Sequence, residues 1–284
     1  MPDAPPAPDQ PDEDTAARSL AHWSEAMRAE MDAFYVLADE DYRQLALGAP
    51  WADLLRSRAR PGWRLLDVAC GSGRFPRALL RFAGIDDAGL AALTVDLLDP
   101  SAFSIEEAAG HLADPFVVGR RLVTTLQDLP AGTGGYDIVW ATHALYAMPP
   151  DVLKTGAERM VEALNPDGLG FVAHATSASH YLRFFDLFRA GVHDATPYLD
   201  SDQVGGALKA AGATVRSETI RYQVSSADHR AVEGFLQRCA FDDTVSLAEM
   251  RRAPRLGPYL DGCVDAGGTW TFDQEVALLW FASR

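Results

Sequence analysis

The ten residues Leu65-Leu-Asp-Val-Ala-Cys-Gly-Ser-Gly-Arg74 constrain the fold of this chain more than any other stretch. An apolar run ends in an acid, passes through a turn of small residues and opens onto a helical pattern, Arg74 to Phe82. Small side chains at Ala69, Gly71 and Gly73 let a ligand approach the backbone closely. In open α/β sheets such a turn lies at the carboxyl end of a parallel strand, where ligands bind. Further apolar runs stand at 90–98, 121–125, 136–141 and 169–174, with helical patterns at 104–111 and 151–164 between them. Strands alternating with helices predict a parallel sheet covered on both faces. The end of the chain changes rhythm: a helix over 201–211, an alternating strand over 213–224, helical patterns over 227–239 and 247–265, and a last strand over 269–281.

Before the first strand, Leu20, Trp23, Met27, Met31 and Phe34 recur every three or four residues, which predicts one amphipathic helix. A second is expected over 39–57, interrupted at Gly48-Ala-Pro50. Residues 1–15, rich in Pro, Asp and Ala, are expected to form a disordered tail. The organisation read from these patterns is that tail, a helical cap over 16–60 and a core over 61–284 with insertions covering the substrate.

The net charge is −15, and five of the acids precede Arg18, so the rest of the chain stands at roughly −10. Such a surface repels phosphate backbones, and no nucleic-acid partner is expected. No apolar run approaches the ~20 residues of a membrane span, so no membrane association is expected. The N-terminus has no signal-peptide pattern. Cys70, Cys239 and Cys263 are odd in number and far apart, giving neither a disulfide framework nor a zinc pattern. No metal is expected, and a reducing cytoplasm suits the chain. A monomer and a homodimer are both compatible with the sequence.

The ligand of the glycine turn follows by exclusion. The dinucleotide fingerprint requires glycine where Pro76 stands, and there is no phosphate-loop Gly-Lys-Ser/Thr. Asp67 would sit badly beside a pyrophosphate. It suits a cationic amino group, such as that of S-adenosylmethionine (SAM), whose product is S-adenosylhomocysteine (SAH). Asp99, before Pro100 at the end of the second strand, can accept both ribose hydroxyls. Asp96, inside the strand, is its rival and the less favoured of the two.

Asp67-x-Ala69-x-Gly71-x-Gly73 resembles the acid-x-Gly-x-Gly-x-Gly motif of the class I SAM-dependent methyltransferases, with Ala69 as a departure. The resemblance implies a Rossmann-like, seven-stranded, mostly parallel sheet with an antiparallel last strand. It places Ala69, Cys70 and Gly71 against the methionyl part of SAM and Asp99-Pro100 at the ribose. Asp128 and Leu129 would meet the adenine, and Thr142 and His143 would stand between SAM and the acceptor. A narrower resemblance is to the histamine N-methyltransferase-like small-molecule group, carried by the paired N-terminal helices, Asp99-Pro-Ser101, Leu145-Tyr146 and the order of the last elements. That group has an amide where this chain has His143. Trp140-x-Thr142-His143 resembles bacterial indole C-methyltransferases of natural-product pathways instead.

The expected activity is therefore methyl transfer to a small nitrogen-containing molecule, with indole C3 of a tryptophan-derived cyclodipeptide the specific expectation. N-methylation of a small amine or imidazole, C-methylation of a 2-keto acid, and SAM binding without turnover are the alternatives. His143 is the candidate general base, with a substrate contact and a structural imidazole also open. Tyr35, Tyr42, Tyr146, Tyr181 and Phe185 are candidate walls of the acceptor pocket.

Overall fold

The computed structural model describes residues 15–85 and 89–283. The expected tail falls almost wholly outside them, and its last residue, Thr15, already opens a helix. Four helical elements precede the sheet: α1 (Thr15–His22), a 3-10 turn (Glu25–Met27), α2 (Arg28–Leu47) and α3 (Trp51–Arg56). The single helix expected through Leu20 to Phe34 is thus divided. The Trp23 carbonyl is held from outside, accepting a bond from the Ser101 hydroxyl at 2.6 Å. The break expected at 48–50 is present, and Trp51 closes it by donating its indole N–H to the Leu45 carbonyl at 2.8 Å.

Seven strands follow: β1 (Arg64–Val68), β2 (Leu93–Asp99), β3 (Phe116–Val123), β4 (Tyr136–Thr142), β5 (Leu164–Ala175), β6 (Thr214–Ser226) and β7 (Trp270–Ala282). Their order in the sheet is β3-β2-β1-β4-β5-β7-β6. β7 runs antiparallel to β5 and β6, and the pairs from β3 to β5 are parallel. This is the Rossmann-like sheet of the class I methyltransferases. Helices α4 (Arg74–Phe82), α5 (Ala102–His111) and α6 (Leu153–Ala163) link the parallel strands, followed by α7 (His180–Gly191) and α8 (Ser201–Ala210). Between β6 and β7 lie α9 (His229–Ala240), α10 (Leu247–Arg252) and α11 (Leu256–Asp261). Among the described residues, no helix is long and apolar enough to cross a membrane.

Burial on both faces explains the continuous apolar strands. On one face Trp51, Phe75, Trp140 and Phe171 pack edge to face, with Trp51–Phe171 centroids 4.8 Å apart and Phe75–Trp140 5.0 Å. On the other, Leu66, Val68, Val139 and Ala141 pack against Ala157 and Met160 of α6. A third cluster lies over the carboxyl ends of the strands, where α2 meets α7 and α9. The chain leaves β1 toward β2 on one side and returns to β4 on the other. This reversal opens a crevice above β1 and β4.

Candidate active site

The carboxyl end of β1 delivers Asp67, and the turn that follows is fixed by backbone bonds. Cys70 N–H donates to the Leu98 carbonyl at 3.0 Å, and Gly73 N–H to the Cys70 carbonyl at 3.0 Å. Gly71 has φ +50, and a Cβ built there would project into open space. The turn thus presents bare backbone to the crevice.

At the end of β2, Asp99 accepts from Gly71 N–H at 3.0 Å and from Ser101 N–H at 2.8 Å. Its rival is placed elsewhere. Asp96 accepts from Arg64 at 2.6 Å, Arg120 at 2.8 Å and the Tyr136 hydroxyl at 2.8 Å. Burial works against its ionisation, but these bonds prevail and hold its carboxyl below the ordinary range. Asp96 is therefore a structural ion-pair centre, and Asp99 is the carboxylate at the crevice.

One continuous cavity joins the glycine turn to a chamber of aromatic rings. Asp67, Ala69, Cys70, Gly71, Asp99, Pro100 and Thr142 line its first half, and Tyr35, Tyr42, His143, Tyr146 and Tyr181 its second. Three expected residues lie outside the wall. Asp128 is exposed and accepts from the Thr125 hydroxyl at 2.6 Å, while Leu129 is turned into the core. The tight turn from Leu126 to Leu129 moves the wall back to Thr125, Leu126 and Gln127. Phe185 is also buried behind the wall, where its ring stacks on Tyr198 at 3.7 Å. Tyr198 itself reaches the cavity.

Three non-glycine residues among those described have positive φ: Ala69 (49°), His143 (52°) and Phe241 (48°). All three line this cavity. Such backbone costs on the order of 1–3 kcal/mol each and concentrates at functional sites. At His143 the bend is held by its own N–H, which donates to the Ala173 carbonyl at 2.9 Å.

Asp67 and Asp99 are 3% and 7% exposed. Burial, with Asp99's charge adding to it, pushes the Asp67 carboxyl up to about 8. Burial raises Asp99 to about 6 against the pull of its two backbone donors. A cation at this end of the cavity would favour the ionised form of both. Burial, with His174 nearby, pushes His143 down to about 3, so the ring is neutral. Its Nδ1 lies 2.7 Å from the Tyr146 hydroxyl, which accepts the Ala175 N–H at 3.1 Å. The hydroxyl hydrogen is then free to go to Nδ1, and in that tautomer the ring hydrogen sits on Nε2. That nitrogen is buried and has no hydrogen-bond partner among the described residues. His174 and His180 bond the Leu199 carbonyl and the Tyr259 hydroxyl, as structural imidazoles do.

Residues that sequence reasoning passed over also stand in the wall. Asp41, 2% exposed, lies between Leu37 and Leu45 on the buried face of α2. An acid on an apolar stripe was the available signal. Arg238 of α9 reaches across the roof, donating to the carbonyls of His22 and Met27 and lying over the Trp23 ring at 5.0 Å.

Residues 65–168 match the family model described as a methyltransferase domain. No curated protein matches the sequence. Among solved structures, the magnesium protoporphyrin IX methyltransferase of Synechocystis PCC 6803, determined with bound SAH, superposes with a TM-score of 0.54 at 12% identity. That match covers 94% of this chain and 99% of that one. The YcgJ protein of Bacillus subtilis gives 0.54 at 13%, covering 82% and 97%. These two likenesses establish the fold. The residues present also fit the cofactor: a buried acid before the turn, bare backbone at Gly71, and a carboxylate pinned by two N–H groups at the next strand end. Residues 65–168 thus carry a methyltransferase domain in a class I fold, and the chain is an enzyme whose cofactor is S-adenosylmethionine.

Proposed function

We propose that this enzyme methylates a small aromatic compound carrying a ring N–H, with indole C3 of a tryptophan-derived cyclodipeptide as the specific acceptor. The observation that carries the reading is the continuity of one cavity from the glycine turn to a chamber walled by Tyr35, Tyr42, Tyr146, Tyr181 and Tyr198. Such walls suit a flat ring, which stacks on them with ring centroids about 4.5–7 Å apart. When bound, the cofactor supplies a methyl group already activated by the sulfonium. The protein's task is then to orient the acceptor and exclude water.

In this reading Asp67 meets the cofactor's ammonium, Ala69 to Gly71 pack against its methionyl part, and Asp99 with Pro100 holds the ribose. Thr142 stands where the two halves of the cavity meet. His143 offers its Nε2–H to the acceptor, for example to a diketopiperazine carbonyl. Among the roles open to this histidine, the bond to Tyr146 favours a substrate contact over a base. N-methylation of a small amine or imidazole is the second reading, favoured by the buried carboxylate of Asp41 among the tyrosines. That same carboxylate disfavours an anionic 2-keto acid.

The test is transfer of a labelled methyl group from deuteromethyl-SAM, read by mass spectrometry. The acceptors are tryptophan-containing cyclodipeptides, small amines, imidazoles, 2-keto acids and total RNA. A product labelled on the indole ring is expected. Label on an amine nitrogen would select the second reading, and label only on a keto acid or RNA would overturn both. SAM binding with no labelled product from any acceptor would point to a SAM-binding protein without turnover.

A further inference from the structure

Attack through indole C3 leaves the ring with a proton to lose from nitrogen. His143 is poorly placed to take it when Tyr146 donates to Nδ1, because Nε2 then carries the ring hydrogen. Asp67 and Asp99 stand at the cofactor end of the cavity. One carboxylate remains, on the aromatic side.

Asp41 accepts from the Tyr181 hydroxyl through Oδ2 and from the Tyr222 hydroxyl at 2.6 Å through Oδ1. It lines the cavity beside Tyr42 and Tyr181. No arginine, lysine or histidine forms an ion pair with it among the described residues. A buried acid without a cation is costly, and an apolar residue would pack the same helix face more stably. Its position in the wall gives it a use. We propose that Asp41 is the catalytic residue that receives the acceptor's N–H proton, with Tyr181 and Tyr222 holding the carboxylate in place. The inference rests on the acceptor class proposed above.

The step balances. The indole π pair forms the new C3–methyl bond, and the methyl's bond to the sulfonium sulfur breaks with its pair left on sulfur. The N1–H pair moves into a C2=N1 double bond, and the proton passes to the Asp41 carboxylate. One positive and one negative charge are consumed together.

Burial is the largest influence on the titration of Asp41, and the groups facing it modulate it. Asp39 and Glu40 of α2 add negative charge, while the hydroxyls of Tyr181 on α7 and Tyr222 on β6 donate to it. Tyr42, Tyr146 and the Cys239 thiol of α9 lie nearby and stay neutral, because burial pushes each well above its ordinary range. Burial prevails at Asp41 and raises it to about 7.

The test needs no turnover. Indole and 1-methylindole are titrated calorimetrically into the SAH-loaded protein between pH 6 and pH 8. Wild type is expected to bind indole about tenfold more tightly at pH 8, following the ionised fraction of Asp41. 1-Methylindole, which has no N–H, is expected to show no such dependence. D41N should remove the dependence for indole. Y222F, whose side chain lies behind the wall, should move the midpoint to higher pH because the ionised carboxylate loses a donor. Indole affinity with the same pH profile in wild type and D41N, or a midpoint unmoved in Y222F, would overturn the assignment. Failure of wild type to bind either ring would instead sink the acceptor class, and the inference with it.

Discussion

Two aspartates three residues apart on β2 do different work, and the difference is measurable. Asp96 is the centre of an ion-pair group with Arg64 and Arg120. Asp96→Ala leaves the Tyr136 hydroxyl and the Arg120 N–H without their acceptor and should cost about 1–3 kcal/mol of stability by chemical denaturation, with SAH affinity in the folded protein unchanged. Asp99→Asn keeps the size of the side chain but removes the charge at the cavity. Its SAH affinity should fall roughly 10–100-fold by calorimetry, as expected for a charge-assisted bond worth about 1.5–3 kcal/mol. An exchange of these two phenotypes would reverse the assignment. At His143 the roles separate by size. A donor lost in His143→Ala should cost about tenfold in kcat/KM, whereas a lost general base costs ~10²–10⁴-fold. A loss above a hundredfold would restore the base.

Among the elements, the N-terminal segment is the roof of the cofactor half: Ser19, Leu20 and Trp23 line the cavity from above. Side-chain bonds to backbone carbonyls hold it down. Ser101 donates to Trp23, Arg238 to His22 and Met27, and Arg18 to the Phe241 carbonyl at 2.9 Å. Arg238→Ala should speed SAH release at least several-fold in a stopped-flow chase, because the break between α1 and α2 loses its anchor. An unchanged release rate would mean that the cofactor leaves by another route. The division of this roof was hidden in the sequence, because the three-and-four spacing from Leu20 to Phe34 continues across the 3-10 turn. β3 begins at Phe116 rather than near 121 for a comparable reason. Gly119 interrupts the apolar run, yet only glycine fits there, since a Cβ would lie 2.2 Å from the Asp96 carboxylate. β5 begins at Leu164 because Asn165-Pro-Asp-Gly168, which reads as a turn, is carried within the strand past a register shift against β4. The glycine turn and Asp99 were legible because backbone chemistry dictates them locally. Asp41 left only the trace of an acid on an apolar stripe, and the inward turn of Leu129 and the burial of Phe185 depend on tertiary packing and left none.

On the scale of the whole molecule, buried titratable groups set the pH response of the free enzyme. Burial raises Asp41, Asp67 and Asp99 to about 7, 8 and 6, whereas in the unfolded chain they ionise near 4. Stability from this source is full at low pH and is lost as pH rises through those values. Burial also pushes His143, His174 and His180 down to about 3, 4 and 3. The unfolded chain takes up those protons below about 6.5 and the folded one does not, so this contribution is lost as pH falls. The two sets oppose each other between about pH 4 and 6.5, and above that the carboxylates act alone. The melting temperature of the free enzyme should therefore peak below about pH 6 and fall by several degrees by about pH 8.5. A flat or rising profile over that upper range would contradict the buried, uncompensated state of Asp41 and Asp67.

One cavity should hold the cofactor at the glycine turn and the acceptor among the tyrosines. A crystal structure of the SAH complex tests it most directly. The ribose hydroxyls are expected on Asp99, the ammonium near Asp67, and the sulfur facing Thr142 and the aromatic chamber. Adenosine lodged among Tyr42, Tyr146 and Tyr181, or a sulfur turned away from that chamber, would contradict it.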